Sequence, residues 1–131
     1  MRWLQVLWLL LLSLGANAAP VLRCQFEVNA ESYQHTFVPV SNPYTAPSVD
    51  LGGRFRFKAV MLGDAQQVSL INLYVFYQTE RQPMLMQHLK FVAPVAHSQP
   101  TPDALTGRVA LYSPFLGKEL QYSCALHEVR S

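Results

Sequence analysis

Beyond residue 20 the chain alternates. Cys24, Phe26 and Val28 are separated by Arg23, Gln25 and Glu27, and Tyr33, His35 and Phe37 by Gln34 and Thr36. Phe55, Phe57, Ala59 and Met61 interleave with Arg54, Arg56, Lys58 and Val60, while Leu120, Tyr122, Cys124 and Leu126 share one parity near the C-terminus. A period of two is the signature of a strand with one buried face, and no segment here reads convincingly at the helical period of 3.6. Gln67–Gln78 is β-branched and aromatic throughout, and Met84–Val92 and Arg108–Tyr112 bring the set to about seven strands. The prolines fall between or at the margins of these runs, where a ladder can spare their missing N–H. Gly52-Gly53, Gly63-Asp64 and Thr106-Gly107 mark turns.

This pattern predicts an all-β fold, an antiparallel two-sheet sandwich of immunoglobulin-like type, with a small closed β-barrel as the alternative. Pro39–Asp50 and Val92–Thr106 read as long sheet-crossing connections rather than linkers, which leaves one domain. If seven strands alternate in direction, Pro39–Asp50, Thr79–Pro83 and Ser113–Lys118 emerge at the same end. They would gather Tyr44, Arg81, Phe115 and Lys118 on loops held by a rigid scaffold, as immunoglobulin-type domains do when they bind.

The first 18 residues follow a different rule. Arg2 precedes the apolar run Trp3–Leu12, Gly15 interrupts it, and Ala16-Asn17-Ala18 offers small residues for cleavage, so residues 1–18 are expected to be a cleaved signal peptide. The run is about ten residues, half of the roughly 20 that a bilayer span needs. Removal leaves residues 19–131 as a single domain of 113 residues, with nine cations against eight acids and both tryptophans gone. No later stretch has membrane length, so no stable span is expected after cleavage.

Composition narrows the classes. A chain that is 50% hydrophobic and 14% charged is not disordered, and a net charge of +2 does not suit a nucleic-acid binder. The two cysteines, Cys24 and Cys124, permit one pairing, and in an oxidising periplasmic or extracellular compartment a disulfide is expected to clamp the first strand to the last. The bulky, charged Arg23 directly before Cys24 argues against lipid attachment at that thiol.

Catalytic signals are sparse. There is no Gly-x-Ser-x-Gly elbow, no phosphate loop and no dinucleotide fingerprint, and the acids are scattered; the expectation is a protein that binds rather than catalyses. Three constellations stand out. Met84, Met86 and His88 would share one face of a straight strand, and two thioethers with an imidazole suit copper if Met61, His35 or His97 completed the set; core packing is the competing reading. Arg54, Arg56 and Lys58 form a cationic stripe that could hold an anion, or simply face water. Val68–Tyr77 is apolar on both faces, with Leu70, Tyr74 and Phe76 opposite Ile71, Leu73 and Val75. A sandwich strand buries one face, so the Tyr74/Phe76 side is either covered by the chain's own loops or meets a partner.

The leading expectation is an exported accessory module recognising another envelope or secreted protein, or a second copy of itself, through that strand face or its loop end. A periplasmic, metallochaperone-like copper binder is the first alternative, and a hydrolase or hydrolase inhibitor the second.

Overall fold

The computed structural model describes residues 18–113 and 117–130. Residues 1–17, and with them nearly all of the expected signal segment, lie outside this range, as does Phe115. Eight strands are present: β1 (Ala18–Val28), β2 (Glu31–Phe37), β3 (Ser48–Leu51), β4 (Phe55–Gly63), β5 (Val68–Gln78), β6 (Pro83–Val92), β7 (Val109–Tyr112) and β8 (Glu119–Arg130). A single 3-10 turn, Pro43–Thr45, is the one helical element among the described residues.

The strands form two antiparallel four-stranded sheets, ordered β2-β1-β8-β7 and β3-β4-β5-β6. The sheets lie face to face, as in a sandwich. Phe57 of one sheet sits 4.8 Å from Phe26, 5.3 Å from Tyr122 and 5.7 Å from Phe37 of the other, ring centroid to centroid. The alternation explains the core directly: Leu22, Cys24, Phe26 and Val28 are buried while Arg23, Gln25 and Glu27 are exposed. Tyr122 adds a polar tie between the sheets, its phenol donating to the Gln87 side-chain oxygen on β6.

The chain visits its strands in order around the body, and β8 returns beside β1. The ladder is not closed, because β2 does not pair with β3 nor β6 with β7. The closed-barrel alternative is therefore corrected. So is the strand count: β3 was expected to be part of a loop, since Ser48-Val49-Asp50-Leu51 offers only two apolar positions between Pro47 and Gly52.

That extra strand moves Pro39–Asp50 away from Thr79–Pro83 and Ser113–Lys118, which still share an end. Every odd-to-even connection (29–30, 52–54, 79–82 and 113–118) now falls at one end, and 38–47, 64–67 and 93–108 leave from the other. The first end is packed closely. Asn29 and Ala30 adopt φ of 53° and 64°, the paired left-handed conformations of a tight two-residue hairpin. Gly52 beside them leaves so little room that an added Cβ would sit 3.0 Å from a Val28 methyl.

Cys24 and Cys124 are direct register partners on β1 and β8, with Cα atoms 4.1 Å apart and the sulfurs bonded. The disulfide does join the first strand to the last. It lies within one sheet, whereas the bridge of antibody domains spans two. The long connection after β6 is tied down along the part of β8 that the short β7 does not pair: Leu126 accepts from the His97 N–H, Glu128 donates back to His97, and the Leu105 and Thr106 N–H groups both reach the Cys124 carbonyl.

Candidate site on the outer face of the second sheet

Register places the outward side chains of β3-β4-β5-β6 in rows. Asp50, Arg56, Phe76 and Leu85 make one row; Ser48, Lys58, Tyr74 and His88 the next; then Val60, Asn72 and Lys90, and last Leu62, Leu70 and Val92. Arg54, exposed in the 52–54 turn just before β4, is tied to the end of β5, its guanidinium donating to the Gln78 carbonyl at 3.3 Å. The inner rows of the same strands, Phe55, Phe57, Ala59 and Met61 with Ile71, Leu73, Val75 and Tyr77, are fully committed to the core.

The rings on this face are organised. His88 stacks on Tyr74 with centroids 4.5 Å apart and planes 6° from parallel, and Tyr74 stacks in turn against Phe76 at 6.2 Å. His88 Nε2 lies 2.8 Å from Asn72 Oδ1, which fixes the imidazole in this stack. Part of the face is roofed by the chain itself. The Pro43–Thr45 turn, capped by the Asn42 side chain accepting from the Tyr44 N–H, sits over Val60, which is only 5% exposed. Between this turn and the sheet lies a cleft of about 290 Å³ lined by Tyr44, Lys58, Val60, Asn72, Tyr74 and Phe76 among others. Tyr44 itself is 90% exposed, and Leu85, at 53%, stands in the open half.

Three cations, Arg56, Lys58 and Lys90, stand in these rows, with Arg54 exposed in the turn at their end, against one acid, Asp50. The face thus carries +3 in a chain whose nine cations and eight acids beyond residue 18 sum to +1, so the remaining surface carries −2. Positive charge is segregated onto the same surface as the rings.

The other predicted residues divide. Tyr44, expected among the loops with Arg81 and Lys118, joins the sheet face instead, because β3 carries the chain back across the body after it. Arg81 and Lys118 do share the opposite end, where the Ser113 hydroxyl accepts from the Lys118 N–H at 3.1 Å. The Met84, Met86, His88 set is not brought together. A β-bulge shifts the β5–β6 register between Val75 and Phe76, so β6 carries an extra residue at Met86. Met86 packs against the core and Met84 pairs with buried Tyr77, while His88 points out onto Tyr74. Met61 is buried at 1%, His35 contacts Phe26 and Phe37, and His97 lies along β8; none of them approaches this trio by register. Among the described residues no group of three His, Cys, Asp or Glu side chains could hold a metal ion.

Two features were not anticipated. Lys90 and the Asn72–His88 pair belong to the site only through the β5–β6 register. On the outer face of the first sheet, a polar groove of about 660 Å³ runs over Gln25, Glu27, Gln34 and Gln121 and is walled by Asp103 and Arg108. The alternating glutamines were visible in the sequence, but nothing there said which strands would lie side by side.

Comparison with protein-family models, curated proteins and solved structures finds no match for this chain.

Proposed function

We propose that this chain is an exported, non-enzymatic binding module that recognises another envelope or secreted protein through the outer face of β4, β5 and β6. One observation carries the reading: stacked rings and three cations, with Arg54 at their end, occupy the solvent side of a sheet whose other side already forms the core. An antiparallel sheet facing only water is ordinarily polar, and aromatic residues with arginine are enriched where proteins meet. The expected signal peptide and the Cys24–Cys124 disulfide support an oxidising compartment outside the cytoplasm. No helix among the described residues is long and apolar enough to cross a membrane. Recognition by the loop end, as in immunoglobulin-like domains, has less support, since Tyr44 is withdrawn from that end.

Cross-linked capture from envelope extract tests the proposal. The disulfide-bonded exported form should retain a discrete partner that a Tyr74→Ser/Phe76→Ser variant loses with its circular dichroism unchanged. A partner held equally by both proteins would remove this face from consideration.

A further inference from the structure

The cations of this face are not scattered. Arg56 and Lys58 stand two residues apart on β4, an interval of about 6.6 Å, and Arg54 precedes them in the 52–54 turn, where its guanidinium donates to the Gln78 carbonyl. Like charges at that spacing repel, and the chain sets one acid against the row, Asp50 opposite Arg56. The Tyr74 and Phe76 rings run parallel to the row on β5, one strand spacing of about 4.8 Å away. Resting on the reading that this face is the working surface, we propose that its occupant is an extended acidic segment of the partner protein, with carboxylates at alternate positions.

The argument is one of matched periods. A polypeptide in extended conformation advances by about 3.3 Å per residue, so acids at i and i+2 repeat at the interval of Arg56 and Lys58, and one at i+4 reaches toward Arg54 at the turn. Each carboxylate then meets one cation, with Arg54 and Arg56 able to bind in bidentate fashion. The stems and backbone of the segment lie over Phe76 and Tyr74. The Tyr44 turn closes the face beyond Lys58, so the segment extends from there toward Arg54, where the surface is open. The excess of +3 here against −2 elsewhere orients an acidic partner toward this side before contact.

Fluorescence anisotropy with labelled peptide probes tests this. Acetyl-Glu-Ser-Glu-Ser-Glu-Ser-Glu should bind the disulfide-bonded protein about tenfold more tightly than acetyl-Glu-Glu-Glu-Glu-Ser-Ser-Ser, and weaken as salt rises. The Arg54→Glu/Arg56→Glu/Lys58→Glu variant, folded by circular dichroism, should lose the alternating peptide. Equal binding of the two peptides overturns the inference. Tighter binding of an oligogalacturonate or of phosphatidylglycerol vesicles also overturns it, assigning the row to an acidic glycan or a lipid surface. Capture from envelope extract separates the two levels. A partner lost by Tyr74→Ser/Phe76→Ser but kept by the charge-reversed variant leaves the face standing and removes the acidic segment. A partner kept by both removes the face, and the inference with it.

Discussion

At the scale of single residues, Tyr122 shows what the interior asks of a polar group. Its hydroxyl is held between the sheets and bonded to Gln87, and burial pushes the phenol well above the ordinary tyrosine range. Neutral Tyr122 is thus favoured by folding. Its contribution is complete below the unfolded-state value of about 10 and is lost as pH rises beyond it. Tyr122→Phe should cost about 1 kcal/mol at neutral pH, because it leaves the Gln87 acceptor without its donor. In denaturant titrations repeated up the pH scale, the gap between variant and wild type should narrow above about pH 10. A constant gap would mean that the phenol does not govern alkaline stability. Asp64 acts at the other extreme of pH. Its carboxylate accepts from the Gln66 and Gln67 N–H groups, which lowers its proton affinity, so its support of the β4–β5 turn is present at neutral pH and fades on acidification.

At the scale of elements, β6 carries the most instructive difference between expectation and structure. A straight strand would put Met84, Met86 and His88 on one face. The bulge adds a residue and divides them between core and solvent, which strand alternation alone cannot foresee, since a bulge answers to the partner strand. Met86→Ala should therefore destabilise the fold by about 1–2 kcal/mol, as a half-buried side chain leaving the core, and His88→Ala by clearly less. Thermal melting of the two variants checks this; equal shifts would argue that both side chains lie on one face. β3 shows the same limitation from the other direction. Four residues with two apolar positions do not make a readable period, yet they complete the second sheet and decide at which end Tyr44 emerges.

At the scale of the whole molecule, the disulfide and the strand path work together. The bridge joins residues 100 apart in sequence that are direct neighbours in one sheet, so it restricts the unfolded chain. On the chain-entropy account, a loop of that length corresponds to roughly 4–5 kcal/mol. A Cys24→Ala/Cys124→Ala variant should keep the β-sheet circular dichroism but lose about 2–5 kcal/mol in urea titration. Loss below about 1 kcal/mol would place the clamping of the chain ends in β1–β8 pairing instead. The charge asymmetry also belongs to this scale. Arg54, Arg56 and Lys58 were adjacent in the sequence, but Lys90 and Asp50 join them only through sheet order.

The alternation of apolar and polar residues pointed to an all-sheet body, most of its strands and the inward residues of β1, β4 and β8, while a count of two cysteines left one pairing. These follow from local rules, because a period of two and a lone thiol pair leave few other solutions. The order of the strands, the bulge in β6, the roof that Pro43–Thr45 lays over Val60, and the assembly of rings with cations on one surface were decided by tertiary structure. Each depends on which strand lies beside which, and that is set by the fit of two sheets over Phe57 and its neighbours, a long-range packing condition that no window of sequence contains.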